Sequence, residues 1–182
     1  MKRKFLPVLL TGAFILAAAT ACSGGGGNVT AGLGVVSNFA SSRSATDEAA
    51  GYTQVDSTIA AVTLDGGVIT HCSIDAAQTR VNINAAGEIT SDPSAPVQSK
   101  KERGNGYNMR NASPIGKEWF EQAEAFEKWV VGKTPAQVAG MKTKRVDDNH
   151  PRVPDVADLT ASCTINVGEM LDAVALAVQN AK

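Results

Sequence analysis

The sequence is poor in the residues from which most enzyme active sites are built. Its 182 residues include only two histidines and three cysteines, and aromatic residues make up 5%. Neither His71 nor His150 lies in a His-Glu-x-x-His motif, and no Gly-x-Ser-x-Gly, P-loop or Gly-x-Gly-x-x-Gly pattern is present. Because nucleophilic catalysis needs a base within reach of the nucleophile, catalysis by side chains alone is not expected. The stretch 147–151 is predicted to be a polar loop and not a metal site.

The N-terminus predicts export. Lys2-Arg3-Lys4 precede an apolar run over 5–19, which is too short for a comfortable membrane span. The run ends in Ala-Thr-Ala-Cys, which resembles a lipobox, and we therefore expect a signal peptide over 1–21 and a lipid on Cys22. An ordinary signal peptide is the alternative. The lipid would hold the protein on the extracytoplasmic face of the cell membrane.

The mature chain would be mildly acidic. Residues 22–28 predict a glycine-rich tether, which leaves 29–182 as one folded domain. Removing the signal peptide leaves 14 basic and 18 acidic residues, a formal net charge of −4. With this charge, and without a basic helix, nucleic acid is not an expected partner.

The first half of the chain predicts an antiparallel meander. Strands are expected over 29–39, 53–64 and 68–75, with extended chain continuing over 79–83. Asp65-Gly66-Gly67 predicts a hairpin turn, because glycine readily adopts positive φ there. The stretch 84–88 predicts a further turn.

The second half predicts a long loop followed by helices. The stretch 91–110 is expected to be a solvated charged loop, with phosphate binding through its basic residues as the alternative. A helix over 114–131 would have Ser113 as N-cap and Gly132 as its stop. Thr134 to Gln137 predicts a capping box for one further helical turn. With a last helix over 167–180, the expected fold class is α+β, with the two main helices packed on the sheet.

The loop before the last helix carries the clearest candidate site. It reads Asp-Leu-Thr-Ala-Ser-Cys-Thr-Ile-Asn over 158–166. Asn166 is expected to be the N-cap, with Glu169 completing a capping box. Because a helix N-terminus favours negative charge, a capped helix entry and an anion site are both open interpretations.

This loop resembles the terminal motif of the FMN-binding domain found in bacterial respiratory flavoproteins and surface lipoproteins, Asp-x-x-Ser-Gly-Ala-Thr. Asp158 and Thr164 occupy the first and last places with the same spacing, whereas Ala161, Ser162 and Cys163 replace the Ser, Gly and Ala. The segments 32–72, 116–123 and 158–181 resemble small Gram-positive lipoproteins of the same type. The resemblance implies an FMN-binding-like α+β fold.

The resemblance also implies a cofactor and residues to hold it. Thr164 would bind the phosphate of FMN through a hydrogen bond or an ester, with donors from Ser162 and from the backbone over 165–167. Asp158 would shape the turn, and Asn166 would contribute at the helix entry. Trp119 is interpreted as core packing, with contact to the isoalloxazine ring as the alternative.

Two hypotheses of function follow. In the first, the protein is a surface-anchored carrier of electrons that uses FMN and exchanges them with a membrane redox partner. In the second, favoured by the altered 161–163, it is a flavin-free surface binding or adhesion lipoprotein that keeps the fold. Outside the cell Cys72 and Cys163 could pair as a disulfide, or both could be buried thiols.

Overall fold

A computed structural model describes residues 28–182, so the signal peptide and Cys22 lie outside the described residues. Three strands form one antiparallel sheet in the order β1-β2-β3: β1 Thr30–Asn38, β2 Gly51–Asp65 and β3 Val68–Ile83. The connection between β2 and β3 is the expected turn, with positive φ at Gly66 and Gly67. The predicted meander is confirmed, and the two extended segments expected over 68–83 form one long strand.

From residue 100 onward the chain forms several helices and two very short strands, joined by turns and loops. The helices are α1 Lys100–Arg103, α2 Trp119–Val130, α3 Pro135–Ala139, α4 Ala157–Thr160 and α5 Gly168–Gln179. The strands β4 Thr143–Lys144 and β5 Val153–Pro154 pair as a second sheet. The α+β class is therefore confirmed. Within residues 28–182, no helix combines the length and apolar character that a membrane span requires.

The core lies between one face of the large sheet and the two longest helices. Alternate residues of β2, among them Ala60, Val62 and Leu64, are buried with their cross-strand partners in β3. Helix α5 packs on β1 and β2, while α2 packs on β3. The buried residues of the two helices join those of the sheet in one apolar cluster, as the sequence predicts.

Two glycines let α5 lie directly on β1. A Cβ at Gly32 would overlap the Ala177 carbonyl oxygen, and a Cβ at Gly34 would overlap that of Ala173. The helix backbone therefore contacts the strand backbone with no side chain between them. This close approach determines how far α5 stands from the sheet.

The beginning of α2 differs from the prediction. The N-cap is Glu118, five residues beyond Ser113, and Glu118 with Glu121 forms a capping box. Residues Ser113–Gly116 form a turn instead, since the Gly116 N–H donates to the Ser113 carbonyl and Gly116 has positive φ. The Glu118 carboxylate also accepts the N–H groups of Met109 and Arg110.

The end of α2 and the start of α3 agree with the sequence. Gly132 has positive φ and donates its N–H to the Ile69 carbonyl, while the Ile69 N–H donates to the Lys133 carbonyl. These two bonds attach the end of the helix to β3. Thr134 and Gln137 form the predicted capping box.

Replacing Gly34 tests the contact between β1 and α5. Gly34→Ala should lower the free energy of unfolding by at least about 3 kcal/mol, because its Cβ meets backbone that cannot rotate away. Gly106→Ala is the control, since Gly106 has open space around it and no positive φ. Urea denaturation measures both. Equal stability of the two variants would contradict the close approach.

Candidate functional site

A cleft of about 560 Å³ lies where the C-terminal end of β1 and the adjacent parts of β2 and β3 meet the N-terminus of α5. We call it the Trp119 cleft. The sheet contributes one wall of the cleft through adjacent cross-strand pairs. Asn38 of β1 pairs with Asp56 of β2, and Thr58 of β2 pairs with Ala76 of β3. Its other walls come from α1 and the turn after it, from the start of α2, and from Ile165, Asn166 and Glu169.

The cleft has an aromatic side. Trp119 is 5% exposed and belongs to the core, as predicted, yet it also lines the cleft. Tyr107 lies at the end of the 3-10 turn Gly104–Tyr107, and its hydroxyl donates to Gln78 Oε1 over 3.2 Å. The Lys100 ammonium lies 5.1 Å from the centre of the Tyr107 ring and 5.2 Å from that of Trp119. Such spacing is typical of cation–π contacts.

The opposite side is polar and already organised by hydrogen bonds. Glu169 accepts the Asn38 amide N–H over 2.6 Å and the Thr58 hydroxyl over 3.0 Å. Asp56 accepts the Ser41 hydroxyl over 3.0 Å and the Gln54 amide over 2.8 Å. These bonds fix both carboxylates in the wall of the cleft.

The segment over 91–110 is more ordered than a solvated loop. Ser99 and Glu102 form a capping box that begins α1. Lys101 then pairs with Glu127 of α2 over 2.6 Å, and Asp75 of β3 accepts the Ser99 hydroxyl over 2.6 Å. These contacts attach α1 to both the sheet and α2 and bring Lys100 to the cleft. The prediction of a loop was therefore wrong for residues 100–107, whereas residues 91–98 form no helix or strand and are mostly exposed.

The predicted cap of α5 was also wrong by one residue. The helix N-cap is Val167, and Asn166 precedes it with its Oδ1 accepting the Gly168 N–H over 3.1 Å. Glu169 cannot close a capping box with Asn166 because its carboxylate reaches across to β1 and β2. Spacing along the sequence carries no signal for that tertiary contact.

One backbone donor expected for an anion, the Val167 N–H, and the neighbouring Thr164 N–H are both engaged within the protein. The Thr164 N–H donates to Gln122 Oε1 over 2.8 Å, and the Val167 N–H donates to the Arg152 carbonyl over 2.9 Å. The side chain of Thr164 is half-buried, and its hydroxyl donates to the same Gln122 oxygen over 3.2 Å. Neither of these two amides is therefore available to a bound anion at this loop.

The candidate residues of the motif are divided between two surfaces. Ile165 and Asn166 line the Trp119 cleft. Asp158 and Ser162 instead line a groove of about 520 Å³ on the outer side of α2, together with Lys117, Lys128, Trp129 and Lys133. Thr164 lies between these two groups in the chain. Asp158 is exposed in the first turn of α4, and the Ser162 hydroxyl donates to the Leu159 carbonyl over 3.3 Å.

The loop over 147–151 lies at the edge of the cleft. His150 Nδ1 is 2.8 Å from Asp147 Oδ1, and this bond holds the pKa of the Asp147 carboxyl below its usual range. Within residues 28–182, no group of three or more His, Cys, Asp or Glu side chains is arranged to hold a metal ion.

Both cysteines of the domain are free, buried thiols. Cys163 is fully buried beside Thr164, and Cys72 is buried in β3. Burial raises the pKa of each thiol to about 12, because the thiolate would lose its hydration. The sequence allowed either a disulfide or two buried thiols, and in the structure Cys72 and Cys163 are unpaired.

Comparisons with known proteins give a partial match. A stretch of 52 residues is 40% identical to a chlorophenol reductase of Desulfitobacterium hafniense. It covers 29% of this chain and 16% of that relative, so the similarity is to a small part of a protein named as a redox enzyme. No family model matches the chain. No solved structure matches it.

The burial of the thiols predicts their reactivity. In the folded protein near pH 8, Cys72 and Cys163 should resist iodoacetamide, because the reactive thiolate form is nearly absent at a pKa of about 12. In urea both should react quickly. Mass spectrometry with peptide mapping separates them from Cys22. Rapid labelling of Cys163 without urea would contradict its burial.

Proposed function

We propose that the protein is an FMN-binding domain that carries electrons outside the cytoplasmic membrane. One observation carries this proposal: the Trp119 cleft joins an aromatic side to a hydrogen-bonded polar side at the loop that contains Thr164. That loop also carries the resemblance to FMN-binding domains. The partial similarity to a protein named as a reductase supports a redox role.

The volume and lining of the Trp119 cleft fit FMN. Small-molecule sites usually occupy about 300–1,000 Å³, and the cleft has about 560 Å³. Trp119 and Tyr107 would contact the flat ring system, because aromatic side chains stack favourably on it. Asn38, Ser57 and Thr58 would hydrogen-bond the polyol, since their amide and hydroxyl groups line the opposite side.

The distribution of charge favours one orientation of the ligand. Asp56 and Glu169 lie in the polar wall and would repel a phosphate. Lys100 already lies over the Tyr107 and Trp119 rings, where the flat ring system would bind. The phosphate is therefore expected at the Thr164–Asn166 loop. Thr164 would hold it through a hydrogen bond or an ester. Bound FMN would supply the electron-transfer chemistry, while the protein supplies binding and electrostatics.

The location outside the membrane is part of the same proposal. It is supported by the basic, apolar and small-residue pattern that ends at Cys22. A lipid on Cys22 would hold the domain near a membrane redox partner. The glycine-rich tether over 22–28 would give the domain room to turn toward that partner.

A flavin-free surface binding lipoprotein is the second candidate. Two observations favour it: the motif is altered at Ala161, Ser162 and Cys163, and the Thr164 and Val167 amides are engaged within the protein. This candidate keeps the fold and the cleft but assigns the cleft to another ligand.

Flavin loading of Thr164 variants tests the first proposal. The mature domain, produced with and without a flavin transferase, should show flavin absorbance, and Thr164→Val should lose most of it because the hydroxyl is removed. Thr160→Val is the control, since Thr160 is an exposed residue whose hydroxyl bonds only to the nearby Ala157 carbonyl. A mass gain of one FMN at residue 164 would establish an ester. A colourless protein that also fails to bind added FMN would refute the proposal.

Replacing Tyr107 tests the aromatic side. Tyr107→Leu should weaken non-covalent FMN binding about tenfold, which corresponds to about 1.4 kcal/mol. Tyr52→Leu is the matched control, because Tyr52 lies on β2 and does not line the cleft. Fluorescence quenching of FMN measures both affinities. Equal affinities would show that the ring binds elsewhere.

A further inference from the structure

Gln122 is a polar residue in the middle of an apolar helix face. It lies on α2 and is fully buried, next to Ala123 and one turn before Phe126 in the core. Burying an amide is unfavourable unless its donors and acceptor all find partners. The hydrogen bonds of Gln122 therefore explain why the site tolerates glutamine.

Both ends of the Gln122 amide are bonded. Its Nε2 donates to the Ser113 hydroxyl and to the Lys117 carbonyl, each over 3.1 Å. Its Oε1 accepts the Thr164 N–H over 2.8 Å and the Thr164 hydroxyl over 3.2 Å. The orientation of the amide is unambiguous, because a carbonyl can only accept and a backbone N–H can only donate.

The two hydrogen bonds between Gln122 and Thr164 restrict the conformation of Thr164. Gln122 Oε1 holds both the backbone and the side chain of Thr164, which fixes the χ1 rotamer of Thr164. Gln122 Oε1 also accepts a hydrogen bond from the Thr164 hydroxyl, so the lone pairs of Thr164 Oγ1 face away from α2. The sequence separation of 42 residues means that this contact attaches α2 to the motif loop.

We propose that Gln122 is the positioning residue of Thr164. It directs the free lone pairs of Thr164 Oγ1 toward the phosphorus atom of the ligand, as an ester at this residue requires, and it acts through Thr164 without touching the ligand. The inference rests on the proposed function, because it assigns Gln122 to the same site. A residue with a merely structural role would support the loop but would not affect ligand loading beyond its effect on stability.

Two substitutions at Gln122 separate these roles. Gln122→Glu keeps an oxygen that can accept both bonds from Thr164, whereas Gln122→Met loses them. Gln122→Met also loses the donor to Ser113 and Lys117, whereas the Gln122→Glu side chain, protonated at this fully buried position, keeps one donor for them. Ser113→Ala is the matched control, because it removes one partner of Gln122 without touching Thr164. Flavin loading, the thermal midpoint and the exchange rate of the Thr164 amide proton are measured for each.

If Gln122 positions Thr164, Gln122→Glu and Ser113→Ala should load FMN like the unchanged protein, and Gln122→Met should load at least tenfold less. Normal FMN loading of Gln122→Met would overturn the inference. A loss of FMN loading that parallels the decrease in thermal midpoint in all three variants would also overturn it. Should Gln122→Met fail to fold, Gln122→Asn is the second variant. It is one methylene shorter, withdraws the oxygen from Thr164 and should show the same loss.

Amide exchange separates failure of this inference from failure of the proposed function. If the unchanged protein takes up no flavin, the proposed function fails. The hydrogen bonds between Gln122 and Thr164 can still be measured in that case. The Thr164 amide proton should then exchange at least tenfold faster in Gln122→Met than in Gln122→Glu. Equal exchange rates would overturn the positioning role.

Discussion

The contact of α5 with β1 through two glycines is the constraint on which the site depends. Because Gly32 and Gly34 carry no side chain, the helix backbone lies directly on the strand. The first turn of α5 then comes close enough for Glu169 to reach Asn38 at the end of β1 and Thr58 in β2. A larger residue at either glycine would move α5 away and separate the walls of the Trp119 cleft.

A second connection joins the motif loop to the other long helix. Gln122 of α2 holds Thr164, while α1 is attached to α2 through Lys101 and Glu127. The cleft is therefore enclosed by elements that are each bonded to a neighbour. Such preorganisation lowers the conformational cost of binding a ligand.

The strands and turns could be predicted from the sequence because their signals are local. Alternating apolar residues, the Asp65-Gly66-Gly67 turn and the Thr134 capping box all act within a few residues. The site was harder to predict, since the roles of Glu169 and Gln122 depend on partners in distant segments of the chain. The cap of α2 was missed because Ser113 has the usual cap chemistry, yet Glu118 makes the capping box and binds two further amides. The start of α1 has a local signal that was missed, the Ser99–Glu102 capping box, whereas the position of α1 depends on its contacts with Asp75 and Glu127.

The most direct test of the central claim is an NMR titration of the flavin-free protein with FMN. If FMN occupies the Trp119 cleft, the indole N–H of Trp119 and the amides of Tyr107 and Asn166 should shift together and saturate. Resonances of Val138 and Val178, in the apolar groove between α3 and α5, should remain unchanged. An absence of shifts around Trp119, or shifts centred on the α3–α5 groove, would contradict the account.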